Sequence, residues 1–125
     1  MIKIAVIGLG GFAGAIFRYL LSGAVHSLLH ASSFPIGTMV VNVIGCFLIG
    51  FGGGLIESRQ FFSPELRAFL FVGILGSFTT FSTFGLETFN LVKNGQWLAS
   101  AGNIGFSIVF GLLAVLAGNM ASRLL

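Results

Sequence analysis

The sequence contains four long hydrophobic stretches with short connections, and this pattern constrains the fold more than any other feature. A helix needs roughly 20 apolar residues to cross the hydrocarbon core of a bilayer, and the stretches lie at about residues 2–25, 35–56, 67–92 and 97–121. Pro35 is predicted to open the second span, and Ser63-Pro64-Glu65 to form a turn and a helix start before the third. We therefore predict an all-α membrane protein with four transmembrane helices, residues 1–125 forming one domain.

The charge content argues against a soluble domain and against a nucleic-acid-binding protein, and the cysteine content excludes disulfide and CxxC chemistry. Only 7% of the residues are charged, against roughly 25% in soluble domains, and the mean hydropathy is +1.07. The net charge of +3 comes from basic residues scattered singly between hydrophobic stretches, unlike the basic patch of a nucleic-acid-binding protein. Cys46 is the only cysteine, so an intrachain disulfide and a CxxC motif are ruled out. The expected surroundings are a lipid bilayer, with no nucleic acid as partner.

The distribution of Lys and Arg gives only a weak orientation signal. Four spans place both termini on one side of the membrane, and the difference in Lys and Arg between the two sides sets the direction of insertion. The side of the termini carries Lys3, Arg59, Arg67 and Arg123, and the other side carries Arg18 and Lys93. So small a bias permits both orientations, and hence an antiparallel pair of identical chains.

The glycine content indicates close helix packing. Nineteen glycines would destabilise soluble helices, but in lipid they let helix backbones approach each other. Gly10 and Gly14, and likewise Gly50 and Gly54, have the spacing of tight helix crossings. Four closely packed helices enclose little space, so an ion path would need a second subunit.

Polar residues in the first two spans are candidate functional residues, because an unsatisfied polar group in hydrocarbon is costly. Arg18 either snorkels to the lipid headgroups or attracts anions at a pore mouth. Thr38 and Asn42 are four residues apart and share one helical face. Asn42 either links two helices or donates its amide N–H to a dehydrated anion.

The polar middle of the third span is the strongest signal. Residues 73–84 contain two glycines and five Ser or Thr residues. A helix break there would leave backbone carbonyls free at mid-membrane, which is tolerated only where they line a cavity or bind a cation. Gly76 and Thr79 lie where such carbonyls would be exposed. The alternative is a straight helix whose hydroxyls bond back to carbonyls four residues earlier.

Aromatic residues run through the same segment. Phe78, Phe81 and Phe84 recur every three residues, and the positive edges of their rings would stabilise an anion in a narrow path. Such stripes are also typical of lipid-facing or core positions. Glu87, three residues beyond Phe84, is either a gating or pairing residue or an interfacial carboxylate.

Three motifs together resemble the Fluc family of fluoride channels, also called CrcB proteins. Residues 10–19 (GGFAGAIFRY) resemble the family's first-helix motif, residues 37–45 (GTMVVNVIG) its second and residues 73–84 (GILGSFTTFSTF) its third. Their order and spacing agree with the family over the whole chain. The resemblance implies a fluoride-selective passive channel rather than an enzyme, built as an antiparallel homodimer with two fluoride pathways along the subunit interface.

The resemblance also implies roles for individual residues. Phe81 and Phe84 would line the pathway through their ring edges, and Asn42 would donate to fluoride or hold those rings. Gly76 and Thr79 match the positions whose backbone carbonyls, two from each subunit, hold a structural sodium ion that is not transported. Further residues expected beside the pathway are Thr38, Ser82, Thr83 and Ser107, with Arg18 and Glu87 as candidates at a pore mouth or gate.

The fourth span departs from the family pattern. Some members carry a run of hydroxyl-bearing residues that lines the pore, whereas the corresponding face here is Asn103, Ser107 and Gly111. The spacing alone fits either a pore lining or packing against another helix. Only Ser107 keeps the hydroxyl, so only Ser107 is assigned to the pathway.

The resemblance and the physics of fluoride together predict a physiological role. Acid that enters a cell as neutral HF dissociates in the cytoplasm, and the negative interior drives the anion out through a passive channel. Such export lowers fluoride toxicity and needs no ATP or proton coupling. We expect the chain in a bacterial inner membrane.

Three other functions are weaker interpretations. A small four-helix, proton-coupled multidrug transporter needs a membrane-buried carboxylate in its first helix, and the first span has none. His26 and His30 have the spacing of a metal-binding pair, but they fall in a predicted loop with no carboxylate or cysteine beside them, so a membrane enzyme is not favoured. A purely structural subunit leaves the polar centre of the third span without a purpose.

Overall fold

The computed structural model describes residues 1–30, 33–59 and 62–124, and it is helical throughout apart from short connections. Four helical stretches are long and apolar enough to cross a membrane, which confirms the predicted four-span, all-α fold. The helices are α1 (Ile2–Leu29), α2 (Ile36–Arg59), α3 (Pro64–Arg67), a π-helical segment (Ala68–Leu75), α4 (Gly76–Phe78), α5 (Phe81–Lys93) and α6 (Trp97–Ser122). The third crossing is therefore broken between α4 and α5, as predicted.

The starts of the second and third crossings show how the two prolines act. Ser63 caps α3, because its hydroxyl oxygen accepts a hydrogen bond from the Leu66 N–H at 3.2 Å and Pro64 occupies the first turn. The predicted turn is confirmed, and the third crossing begins at Pro64 rather than at residue 67. Pro35 stands at the start of the second crossing, as predicted, and α2 begins at the next residue, Ile36. The Pro35 carbonyl accepts from the Met39 N–H at 3.2 Å, so Pro35 is the residue that precedes the first helical turn.

The first helix continues beyond its predicted end near Val25. It reaches Leu29, which places His26 in the last helical turn, and His30 ends the helix with a left-handed φ of 47°. The prediction that His26 falls in a loop was wrong, because no Gly or Pro after Gly23 stops the helix before Pro35. Residues 31, 32, 60 and 61, all in predicted connections, lie outside the described residues.

Glycines form both main helix contacts, as their spacing predicts. Helix α1 packs on the π-helical segment, where a Cβ added to Gly10 would lie 3.0 Å from the Gly73 Cα. Helix α2 packs on α6, where a Cβ on Gly50 would meet the backbone of Val115 and one on Gly54 would meet the Ser122 side chain. Because helices in lipid associate through van der Waals contact, these glycines set the distances between the helices.

The apolar surface of the chain is mostly exposed rather than buried. The described core is small, with Val41 at 0% exposure and Leu91 at 3%, whereas Phe12 on α1 is 70% exposed and Leu98 on α6 is 88% exposed. An apolar exterior of this kind belongs against lipid or against another membrane-embedded chain.

Candidate functional site

The helix break consists of two extended residues in the middle of the third crossing. Thr79 has φ −86° and ψ 155°, and Thr80 has φ −152° and ψ 119°. Helices α4 and α5 therefore end and begin within the membrane, where free backbone groups must find partners other than water. The sequence supplies these partners from the two threonines and from a neighbouring helix.

The two threonine hydroxyls act at the two helix ends that the break creates. The Thr79 hydroxyl donates to the Leu75 carbonyl at 3.0 Å, and the Thr79 N–H bonds the same carbonyl at 3.1 Å. The Thr80 hydroxyl oxygen accepts from the Thr83 N–H at 3.3 Å and so caps α5. The Thr80 hydroxyl is therefore a local cause of the break, since it takes the Thr83 N–H that a straight helix would bond to the Thr79 carbonyl. The Thr79 hydroxyl adds a second bond to a carbonyl that keeps its helical partner.

Asn42 on α2 supplies the remaining partner. Its amide nitrogen donates to the Thr80 carbonyl at 3.3 Å, and its amide oxygen accepts from the Thr80 N–H at 2.9 Å. In an uninterrupted α-helix the Thr80 N–H would bond to the Gly76 carbonyl, so Asn42 takes that donor away from Gly76. Of the two roles that the sequence allowed for Asn42, the structure shows the helix-linking one, which leaves one N–H of the amide for a further partner.

An aromatic cavity of about 420 Å³ opens beside the break. Its lining includes Asn42, Gly76, Thr79, Phe81, Phe84 and Ser107, and all of its lining side chains are uncharged. The Phe81 and Phe84 ring centroids lie 5.7 Å apart with 40° between the ring planes. The Ser107 hydroxyl oxygen is buried and has no hydrogen-bond partner among the described residues. The cavity thus presents aromatic rings and a free hydroxyl at mid-membrane depth.

A wider polar vestibule of about 840 Å³ lies at the end of the bundle formed by the α1–α2 and α5–α6 connections. Its lining includes Arg18, His26, Thr38, Thr83 and Glu87. The Thr38 hydroxyl donates to Glu87 Oε1 at 2.8 Å, whereas Glu87 Oε2 is buried without a hydrogen-bond partner among the described residues. Thr80 lines both the vestibule and the aromatic cavity, so the Asn42–Thr80 pair lies where the two meet.

Three further residues from the sequence analysis, Ser82, Asn103 and Gly111, line neither cavity. Ser82 is exposed, lines neither cavity and lies 3.2 Å from the Thr80 hydroxyl. Asn103 is 1% exposed and donates to the Thr88 hydroxyl at 2.9 Å. A Cβ on Gly111 would lie 3.5 Å from the Cys46 sulfur. The face of α6 that the sequence outlined is therefore divided, with Ser107 at the aromatic cavity and Asn103 and Gly111 in helix packing.

Comparison with known proteins decides the family. Residues 5–119 match the family described as CrcB-like protein, Camphor Resistance (CrcB). The chain belongs to the CrcB-like family. The resemblance based on three motifs is thereby confirmed.

The named relatives of this CrcB-like chain are similar to it over nearly their full length. Each of the following carries the name fluoride-specific ion channel FluC. The protein of Maridesulfovibrio salexigens is 44% identical over 100% of this chain and 98% of its own. That of Nitratidesulfovibrio vulgaris is 44% identical over 99% of both chains, and that of Ruminiclostridium cellulolyticum is 45% identical over 98% of this chain and 94% of its own. Because the family is one of ion channels, the prediction that the chain is not an enzyme is confirmed.

Two contacts in this CrcB-like chain were not predicted from its sequence. The Thr38–Glu87 bond joins α2 to α5 across 49 positions, and no spacing rule links such distant residues. The Ser77 hydroxyl lies 2.9 Å from the Gly11 carbonyl on α1 and 2.8 Å from the Gly73 carbonyl on its own segment. It therefore fastens the first half of the broken helix to α1. A hydroxyl residue directly after Gly76 is the only signal in the sequence that points to this contact.

Proposed function

We propose that this chain is a fluoride-selective passive channel, and the observation that carries the proposal is the uncharged aromatic cavity at the helix break. Fluoride is small and strongly hydrated, so a selective path must replace its water with donors and must exclude larger halides by its width. The Ser107 hydroxyl and the second amide N–H of Asn42 are donors, and the edges of Phe81 and Phe84 are electropositive. Neutral groups of this kind stabilise the anion without trapping it.

Among the described residues, the vestibule is lined by one fixed cation, Arg18, and one carboxylate, Glu87, and the cation supports the same function. Arg18 lines the vestibule, where a fixed cation raises the local concentration of anions. Since the aromatic cavity holds no charged side chain, an anion that enters it meets only dipoles and ring edges. The names of the FluC relatives agree with this assignment.

The proposal includes an antiparallel homodimer with two separate pathways. In one chain the aromatic cavity is open at the side, and Phe81 is 83% exposed. A second copy of the chain in the opposite orientation would cover this side and close a pathway between the subunits. The small difference in Lys and Arg between the two sides of the membrane supports insertion in both directions.

A structural sodium ion at the centre of the dimer is also part of the proposal. The residues fit a hard cation, because the Thr80 N–H bonds Asn42 instead of the Gly76 carbonyl and because Thr79 is extended. A Cβ on Gly45 would meet the Thr79 methyl group, so the glycine leaves room for this conformation. Backbone carbonyls of Gly76 and Thr79 from both chains would hold the ion, which would neutralise the dipoles of carbonyls that face each other across the interface.

Withdrawal of sodium should lower both stability and conduction. With choline as the only cation, we expect the purified protein to melt at a lower temperature, since a bound ligand at 100 times its dissociation constant stabilises a protein by about 2.7 kcal/mol. Restoring sodium should restore the melting temperature and the rate of fluoride release together, whereas potassium at equal ionic strength is the control. Identical melting curves in all three salts would contradict a structural sodium ion.

Fluoride export across a bacterial inner membrane follows from passive conduction. An inside-negative potential drives an anion outward by about 2.3 kcal/mol per 100 mV, so no energy coupling is needed. In liposomes loaded with potassium fluoride, release should therefore be slow until valinomycin lets potassium leave with the anion. A proton-coupled multidrug transporter would release no fluoride under these conditions. Rapid release that needs no potassium pathway would contradict a passive channel.

A further inference from the structure

Asn103 occupies an unusual place for a polar residue in the fourth crossing. It is 1% exposed, one helical turn before Ser107 on α6, and its side chain lines neither the vestibule nor the aromatic cavity. Burying an amide in a membrane span is costly unless the amide is hydrogen-bonded. Its partner therefore indicates what the residue does.

The partner is Thr88 on α5, the half of the broken helix that carries Phe81 and Phe84. The Asn103 amide nitrogen lies 2.9 Å from the Thr88 hydroxyl oxygen, and that hydroxyl lies 2.7 Å from the Phe84 carbonyl. A threonine hydroxyl has one proton, which the Thr88 hydroxyl donates to the carbonyl, so its oxygen accepts from Asn103. The three groups form a directed chain of hydrogen bonds from α6 to the backbone of Phe84.

A second contact fastens the same point of α5. The Ser100 hydroxyl donates to the Thr88 carbonyl at 3.3 Å, and Ser100 is 4% exposed. Both the side chain and the backbone of Thr88 are therefore held by α6. We define Ser100, Asn103 and Thr88 as the α5–α6 clamp.

The clamp contacts α5, the half of the third crossing that follows the helix break. The extended residues Thr79 and Thr80 separate α5 from the first half of the third crossing, so α5 is not held in place by a continuous helix. Phe84 lies one helical turn before Thr88 on α5, and Ser107 lies one turn after Asn103 on α6. Phe84 and Ser107, which line the aromatic cavity together, are therefore each one helical turn from a residue of the clamp.

We propose that Asn103 is a positioning residue of the fluoride pathway: by hydrogen-bonding Thr88, it holds the Phe84 ring at the distance from Ser107 that fluoride conduction needs. This inference rests on the proposed channel function. In this proposal Asn103 acts on the pathway through Thr88 and Phe84 and does not contact the ion.

The test is a double-mutant cycle in reconstituted protein. Asn103→Leu removes the donor and keeps a side chain of four heavy atoms branched at Cγ, Thr88→Val removes the hydroxyl, and Thr88→Ser keeps it. A bond of this kind shifts an equilibrium by up to about tenfold, so we expect fluoride release per folded protein to fall about tenfold in Asn103→Leu and in Thr88→Val. The double variant should be no slower than either single variant, and Thr88→Ser should conduct like the wild type.

Two measurements separate positioning from packing and from failure of the proposed function. Melting temperatures of the four proteins in the cycle report whether the two residues interact, whether or not the protein conducts. Additive losses in melting temperature would overturn the clamp. If the losses in melting temperature are coupled but the variants release fluoride at the wild-type rate per folded protein, the positioning role is overturned and the channel function stands. A wild type that is folded but releases no fluoride would overturn the proposed function, and the positioning role with it.

Discussion

Gly14→Ala should separate α1 from the third crossing and lower the melting temperature of the protein well below that of the wild type. A Cβ at this position would meet the Ile74 carbonyl and the Ser77 hydroxyl, and backbone atoms cannot move aside as a flexible side chain can. Overpacking of a close contact costs about 3 kcal/mol, which exceeds the gain of about 1 kcal/mol in helix propensity from Gly to Ala. Melting of the purified protein in detergent measures the effect.

Gly11→Ala is the matched control for this prediction. It lies on the same helix, and a Cβ there would have no atom within 4 Å apart from its own helix and chain neighbours. We expect Gly11→Ala to melt at or above the wild-type temperature. Equal melting temperatures for Gly11→Ala and Gly14→Ala would contradict the close approach of α1 to the first half of the broken helix.

Asn42→Leu should give the second large effect, because it removes the hydrogen bonds to both backbone groups of Thr80 at once. The Thr80 N–H and carbonyl would then be unpaired in the middle of the membrane, at a cost of about 1–3 kcal/mol for each group. The break would lose its link to α2. We expect a lower melting temperature together with loss of fluoride release, measured on the same preparation.

Ser107→Ala distinguishes loss of the break from loss of a donor to the ion. The Ser107 hydroxyl lines the same cavity but has no hydrogen-bond partner among the described residues, so its removal breaks no hydrogen bond there and should not lower the melting temperature. Fluoride release should nevertheless slow, because the pathway loses a donor. If Asn42→Leu had the same melting temperature as Ser107→Ala and the wild type, the structural role of Asn42 would be contradicted.

The sequence was sufficient to predict the four spans, and it pointed to the helix break while leaving a straight helix open, because the break also depends on Asn42 from another helix. Long apolar stretches with little charge have few places to fold other than a bilayer, and Thr79 and Thr80 carry the hydroxyls that cap the two helix ends. The π-helical segment Ala68–Leu75 was not predicted. Its residues are apolar throughout, and no spacing rule distinguishes a π-helix from an α-helix in such a stretch.

The candidate site was predictable in its residue types and less so in its partners. Asn42, Phe84 and Ser107 are found together at one cavity, although they come from three different helices. The pairing of Asn103 with Thr88 was not evident, because helical spacing places Asn103 on the same face as Ser107. Which residue of that face reaches the cavity and which packs against α5 depends on tertiary contacts between the two helices, and helical spacing within α6 does not contain that information.

The most direct test of a fluoride pathway through the aromatic cavity is efflux, after addition of valinomycin, from liposomes loaded with potassium fluoride or potassium chloride, with Phe84→Ile compared with Phe89→Ile. Both residues lie on α5, but Phe89 lines neither cavity and is 61% exposed. We predict fast release of fluoride and negligible release of chloride by the wild type and by Phe89→Ile, and fluoride release about tenfold slower in Phe84→Ile. Unchanged fluoride release in Phe84→Ile, or release of neither ion by folded wild-type protein, would contradict a fluoride pathway through the aromatic cavity.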